Sequence, residues 1–424
     1  MLEPRTVTLP QTIVPRGRGE AHVFLPSALA WAATNDEFRL SNASPMTYLD
    51  HNATTPLAPE ALQAMLPFLT DQYANASSQH RAGQAAKKAV DAARAEVAAL
   101  IGADPHEIVF TSGATESINL ALKGLAARHP ERRHLISAPT EHKAVLDTLD
   151  ALAETGCEIT LLPVQPDGLI DPQALQDALR PDATLAVCLM HVNNETGVQL
   201  PLPSLAEMAH AAGAFFMTDA TQSVGKLPLS VDALGADLLA FSGHKFYGPK
   251  GVGGLYLRSR RPFRVRLHAQ QHGGGHERDL RSGTLNVPGI VGLGAAAALA
   301  QTRMAEDAVR IGELRGQLEE GLLALPGVHR NGHPSQRLYN VSNLRFDGVD
   351  ADALMMSLPH LAMANGSACT SRLVQPSHVL RAMGLSDKQA YGSLRLSLGR
   401  GTTAEEVAEA VAALKQAVQR LRGQ

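Results

Sequence analysis

Two apolar runs in this 424-residue chain end in groups that could do chemistry together. Asp237-Leu238-Leu239-Ala240-Phe241 leads into Ser242-Gly243-His244-Lys245, and Ala214-Phe215-Phe216-Met217-Thr218 leads into Asp219-Ala220-Thr221-Gln222. An amine and a carboxylate, each at the end of a buried strand, are what pyridoxal 5'-phosphate requires. A lysine forms a Schiff base with its aldehyde, and an acid keeps its ring nitrogen protonated so that the ring can accept electrons. Taken singly, Lys245 reads as a solvated loop residue and Asp219 as a helix N-cap. A third segment shifts the balance. Ile108-Val109-Phe110-Thr111 enters a small-residue turn, Ser112-Gly113-Ala114-Thr115-Glu116-Ser117, that opens a helix. Backbone amides at such a start, with hydroxyls beside them, bind phosphate.

The elements that must position these groups alternate. Residues 81–101 place Ala85, Ala89, Ala93, Val97 and Leu100 near one face of a helix that Gly102 ends, and a strand follows at 108–111. Further strands are expected at 134–138, 158–162, 184–190, 214–218 and 237–241, with helices at about 143–155, 172–180 and 203–213 between most of them. That order predicts an α/β fold with a mainly parallel sheet covered on both faces. Ligands in such sheets bind outside the carboxyl ends of the strands, where Ser112, Asn194, Asp219 and Ser242 to Lys245 fall. After an Ala-rich helix at 289–301 the pattern changes to a charged helical stretch at 303–325 and a Gly-Pro-rich segment at 326–336. Short strands near 339–346 and 394–398 and a helix at 404–422 follow, which reads as a smaller α+β domain.

Composition sets limits. A 45% hydrophobic content can bury a large core, and a formal net charge of -3 offers no general attraction for nucleic acid or anionic membrane. The three cysteines, Cys157, Cys188 and Cys369, lack metal-ligand spacing, so no metal is expected, and a reducing cytoplasm suits them better than a disulfide framework. Cys369 lies in a small, polar stretch, Asn365-Gly366-Ser367-Ala368-Cys369-Thr370-Ser371-Arg372, expected to form an exposed loop. Cys157 and Cys188 fall beside or within apolar strands, where a buried, inert thiol is the default. Residues 1–45 are polar and Pro-rich except for Val23 to Ala33. Arg16, Arg18 and Ala30-Trp31-Ala32 mimic a signal peptide, yet the motif sits well inside the chain. A dispensable extension is expected there.

Tyr48-Leu49-Asp50, Ala53-Thr54-Thr55-Pro56, Phe110-Thr111-Ser112-Gly113-Ala114-Thr115-Glu116-Ser117, Thr140-Glu141-His142-Lys143, Val192-Asn193-Asn194-Glu195-Thr196-Gly197, Asp219-Ala220-Thr221-Gln222-Ser223-Val224-Gly225-Lys226, Ser242-Gly243-His244-Lys245, Gly273-Gly274-Gly275-His276-Glu277-Arg278, Arg281-Ser282-Gly283-Thr284 and Gly366-Ser367-Ala368-Cys369 occur in unbroken order. In these motifs the chain resembles the cysteine desulfurases of the NifS/IscS type, in the class V aminotransferase superfamily, over about residues 47 to 422. The resemblance implies a fold type I transferase of pyridoxal phosphate enzymes, its large domain (61–301) built on a seven-stranded, mainly parallel sheet. Residues 46–60 and 302–424 would form the small domain, with 1–45 outside the match.

The same resemblance implies roles. Lys245 would bind the cofactor and then act as base at the substrate's α-carbon. Asp219 would hold the ring nitrogen, and His142 would stack over the ring and take part in proton transfer, although on its own His142 reads equally as a helix cap. Gln222 and Asn194 would lie near the ring oxygen and the substrate. Ala114, Thr115, Ser242 and His244 would hold the phosphate, and Thr284 the phosphate of the neighbouring subunit in a homodimer. Arg395, alternating with apolar residues in a strand, would clamp the carboxylate of L-cysteine with its planar fork, where an exposed edge charge is the plainer reading. Asn75 would be the second carboxylate contact, but Ala74-Asn75-Ala76-Ser77 departs from the family's Gly-Asn-Pro-Ser. Cys369 as thiolate would take the sulfur, releasing L-alanine and leaving a persulfide for an acceptor protein, such as an iron–sulfur scaffold or tRNA-thiolation carrier. The alternatives are a selenocysteine lyase or small-amino-acid aminotransferase of the same superfamily, and a degenerate assembly platform. Cys369 in its motif argues against the first two, and the intact set of Lys245, Asp219, His142 and Cys369 against the third.

Overall fold

The computed structural model describes residues 46–365 and 375–423. Strand β1 (Thr47–Tyr48) precedes helices α1 (Pro59–Leu69) and α2 (Arg81–Ile101), the latter ended by Gly102 in the left-handed conformation. An alternating series follows: β2 (Ile108–Thr111), α3 (Ala114–Arg128), β3 (His134–Ser137), α4 (Lys143–Glu154), β4 (Glu158–Leu161), α5 (Pro172–Ala178), β5 (Thr184–Cys188), α6 (Leu202–Ala211), β6 (Phe215–Asp219), β7 (Leu238–Ser242) and β8 (Gly253–Leu257). These strands form one seven-stranded sheet in the order β2-β8-β7-β6-β5-β3-β4. The run from β4 to β7 is parallel, and β8 is antiparallel to both of its neighbours.

Neighbouring residues on one strand enter different cores, as the two-residue period of a strand requires. Phe216 and Phe241 join the core that also holds Val90 and Ile101 of α2, while Met217 and Ala240 join the one that holds Ile118 and Leu149 of α3 and α4. Both faces are therefore apolar and covered, which leaves the strand ends as the place for polar chemistry.

Helix α7 (Val287–Leu323) is one continuous helix of 37 residues. The sequence suggested two segments, at 289–301 and 303–325, because the chain turns from Ala-rich to charged near 302. The change marks a new packing partner. Ile290, Leu293 and Ala297 pack into the core of the large sheet, where a Cβ at Gly294 would meet the Ala93 backbone at 2.6 Å. Ile311, Leu314, Leu318 and Leu322 belong to a separate core with Leu344, Leu394, Leu396 and Leu414. That second core lies against the antiparallel sheet formed by β9 (Val328–Arg330), β10 (Val341–Phe346) and β12 (Ser393–Ser397), in the order β12-β10-β9. Helix α8 (Ala351–Met356), strand β11 (Leu361–Ala362), helices α9 (His378–Ala382) and α10 (Asp387–Tyr391), and α11 (Ala404–Leu421) complete the chain; β11 pairs in parallel with β1. No helix among the described residues is long and apolar enough to cross a membrane.

Candidate active site

The carboxyl ends of the parallel strands converge on a cavity of about 340 Å³. Its lining comes from the segments after five strands: Ala114 and Thr115 after β2, His142 after β3, Met190, Val192 and Asn194 after β5, Asp219, Thr221 and Gln222 at the end of β6, and Ser242, His244 and Lys245 at the end of β7. Asn52 and Ala53 after β1 and Arg395 on β12 close it. Nine of the expected side chains plus Ala114 therefore meet in one place, although up to 281 residues separate the members along the chain, 395 − 114 = 281. Asn75 and Thr284 are not among the lining residues. Asn75 is exposed, its Oδ1 accepting the Ser77 amide at 2.9 Å, and Thr284 is exposed in the turn before α7. Cys369 lies outside the described residues.

Lys245 ends a tight turn, Gly243–Lys245, that continues directly from β7. Its Nζ donates to the backbone carbonyls of Asn52 at 2.8 Å and Ala53 at 2.7 Å. Asp219 is the last residue of β6 and is buried, and its Oδ1 accepts the Thr221 amide at 2.9 Å in an Asx turn. His142 satisfies both readings: it caps α4, with Nδ1 accepting the Ala144 amide at 3.1 Å, and its ring lines the cavity. That hydrogen bond assigns the ring proton to Nε2. Burial pulls its pKa below the ordinary histidine value, opposed by Asp219 and aided by Lys245. For His244, burial and then the ammonium groups of Lys245, Lys250 and Lys226 push the pKa down to about 4. Both imidazoles are therefore neutral near pH 7 and can exchange protons there without first losing a charge.

Arg395 sits on β12 with 6% exposure, so the plainer reading of an exposed edge charge fails. One terminal nitrogen donates to Asp50 Oδ1 at 2.7 Å and the other to the Asn194 carbonyl at 3.0 Å, which holds the guanidinium plane in place. The Ser242 hydroxyl accepts the Ala114 amide at 2.7 Å, bringing the end of β7 against the start of α3. Gly113 gives α3 no side-chain cap.

This arrangement fits pyridoxal phosphate on its own terms. An amine, a buried carboxylate and a helix start flanked by the hydroxyls of Thr115 and Ser242 border one cavity. Two buried polar atoms without a partner among the described residues, Thr221 Oγ1 and Arg395 Nε, belong to residues of the same lining. Buried polar atoms are ordinarily partnered, and the polar groups of a ligand in the cavity would complete these two. Sequence reasoning gave no site role to Asn52, Ala53, Asp50, Thr221 or Lys226. The carbonyls of Asn52 and Ala53 leave no side-chain signal, whereas Asp50, Thr221 and Lys226 carry polar side chains within the motifs of the resemblance, and that is the signal they offer.

A large, mostly parallel sheet with a lysine-bearing cavity at its strand ends defines the class, and the sequence pattern described as aminotransferase class-V matches residues 47–409. The chain belongs to that family. It is 49% identical over 379 residues to cysteine desulfurase IscS of Edwardsiella ictaluri and 50% identical over 378 residues to that of Anaeromyxobacter dehalogenans, in both cases covering 88% of this chain and 93% of the relative. A solved NifS-like protein aligns with a TM-score of 0.82 at 35% identity, over 89% of this chain and 100% of the other. Within the family, the chain is a cysteine desulfurase.

Proposed function

We propose that the cavity at Lys245 is where this enzyme removes sulfur from L-cysteine with pyridoxal 5'-phosphate. The observation that carries the reading is the convergence of Lys245, Asp219, His142 and Arg395 on one cavity, in a chain half identical to cysteine desulfurases. Bound pyridoxal phosphate supplies an electron sink conjugated to the substrate's α-carbon. Lys245 holds the cofactor covalently at rest and, once released, moves a proton at the α-carbon with an amine steadied by two carbonyls. Asp219 holds the ring nitrogen protonated. Ala114, Thr115, Ser242 and His244 hold the phosphate. Gln222 and Asn194 lie by the ring oxygen and substrate. His142, neutral at working pH, exchanges a proton above the ring. Arg395 orients the substrate through its carboxylate.

Cys369 attacks the substrate's sulfur as a thiolate. An S–S bond forms as the Cβ–S bond breaks, and protonation leaves L-alanine and an enzyme persulfide. The persulfide passes to an acceptor protein, such as an iron–sulfur scaffold or a tRNA-thiolation carrier, in the cytoplasm, without direct contact with nucleic acid or membrane. The enzyme works as a homodimer in which Thr284 serves the neighbouring subunit's phosphate. The division is into a large part, residues 61–301, and a small part, residues 46–60 and 302–424; two separate cores support a division of this kind, with Ala58 and Met304 still packing in the large one. Lys245→Ala tests the reading: it is expected to lose the cofactor's bound visible absorbance and all alanine formation, and normal turnover by the variant would overturn it.

A further inference from the structure

Lys226 is buried where the chemistry above gives it no task. It is 5% exposed, and its Nζ donates at 2.8 Å to Oε1 of Gln222. With its oxygen so engaged, Gln222 turns its amide nitrogen to the Asn52 carbonyl at 2.9 Å, and the same carbonyl accepts Lys245 Nζ at 2.8 Å. Asn52 is itself fixed: its amide donates to Ser397 Oγ at 2.9 Å and its side chain donates to the Asn194 carbonyl at 3.2 Å. One rigid carbonyl therefore joins Lys226 to Lys245 through a single amide.

Burial of an ammonium is costly without an anion beside it. Here the charges acting on Lys226 are the like charges of Lys245 and Arg395, and together with burial, the larger cause, they push it down to about 7. His51 and His244, both pushed down to about 4 and so neutral near pH 7, are the other titratable groups that feel it. A leucine or methionine would fill this space at lower cost, so the ammonium must do something that an apolar side chain cannot. A primary amide can sit in either of two orientations, and a residue with only donors on its oxygen side selects one of them.

We propose that Lys226 is a positioning residue for the desulfurase reaction: it fixes the Gln222 amide between its own ammonium and the Asn52 carbonyl, and as a like charge close to Lys245 it helps keep that amine unprotonated for proton transfer. The proposal rests on Lys245 being the catalytic amine. Lys226→Met keeps the length and removes both donor and charge. In the purified holoenzyme kcat is expected to fall about ten-fold, the loss of roughly one hydrogen bond to a charged group. The acid limb of the kcat profile, which reports the substrate-bound enzyme, should move to higher pH, because Lys245 once displaced from the cofactor would hold its proton more tightly without a positive neighbour. A purely structural lysine would lower the melting temperature and leave that limb in place. Should Lys226→Met fail to fold, Gln222→Glu tests the same contact, since an ion pair with Lys226 keeps the packing while an acceptor now faces the Asn52 carbonyl; it should also lose turnover. Wild-type kcat with an unmoved pH profile in Lys226→Met overturns this inference and leaves the proposed function standing, whereas wild-type turnover in Gln222→Glu overturns it together with the role given to Gln222. Turnover by Lys245→Ala, assayed alongside, would overturn both.

Discussion

Arg395→Lys isolates the carboxylate clamp. The guanidinium is 6% exposed and spends one N–H on Asp50 Oδ1 at 2.7 Å and one on the Asn194 carbonyl at 3.0 Å, leaving Nε and the second hydrogen of each terminal nitrogen. A lysine ammonium in the same place has three donors around one point and no plane. If it satisfies Asp50 and Asn194, it reaches a substrate carboxylate with a single hydrogen bond at best. Losing one charge-assisted bond of about 1.5–3 kcal/mol corresponds to roughly 10- to 150-fold in kcat/KM. Most of this should enter through KM, since the substrate's carboxylate is bound before and during the reaction alike. Cofactor absorbance should persist, because Arg395 spends its hydrogen bonds on Asp50 and the Asn194 carbonyl. The assay is alanine formation across a range of cysteine concentrations with the absorbance spectrum recorded on the same sample. An unchanged KM for cysteine would refute the clamp.

Gly225 has φ +73°, and a Cβ there would meet the Phe246 side chain at 2.5 Å, directly beside Lys245. Gly225→Ala is therefore expected to destabilise the fold by about 2–4 kcal/mol, from left-handed strain plus overpacking, read as a lower melting temperature; wild-type melting would contradict this. Glu195 is buried, with Oε2 accepting the Ser377 hydroxyl, and burial pushes its carboxyl up to about 7 against the pulls of Ser377 and Arg395. A carboxyl raised by folding contributes stability in full below its ordinary value of 4.5 and loses it as pH rises through about 7. Glu195→Gln should thus gain on wild type by on the order of 3 kcal/mol between about pH 4 and pH 8 in denaturant unfolding, whereas parallel stability curves would sink the idea.

Most of the large sheet is legible in the sequence because its strands are short apolar runs bounded by helix caps, and both faces demand apolar residues. Strand β8 escapes because Gly253-Gly254 open it, and glycine reads as a turn; here a Cβ on either would strike the neighbouring β7 residue Phe241. The continuity of α7 escapes because a change of partner core alters the pattern as a loop would. In the site, Asp219 and Lys245 stand at strand ends where the rule for parallel sheets puts polar groups, whereas His142 and Arg395, the latter within β12 of the antiparallel sheet, are legible only through the family resemblance. What holds them is not legible: backbone carbonyls of Asn52 and Asn194 carry no side-chain signature, and their placement depends on contacts between residues some 190 to 200 apart.

The transfer of sulfur to Cys369 is the most direct test. Cysteine desulfuration by this account releases one L-alanine per sulfur taken and leaves one extra sulfur on Cys369, detectable by mass spectrometry of peptides after L-cysteine is added without reductant. Cys369→Ser, a near-isosteric change that removes the thiolate, should bind cofactor and substrate, form no alanine beyond background and carry no extra sulfur. Cys188 is buried and its thiol is pushed well above the ordinary value by burial, and Cys157 is raised by the same cause, so neither should substitute. Sulfur found on Cys157 or Cys188, or undiminished sulfide release by Cys369→Ser, would contradict the account.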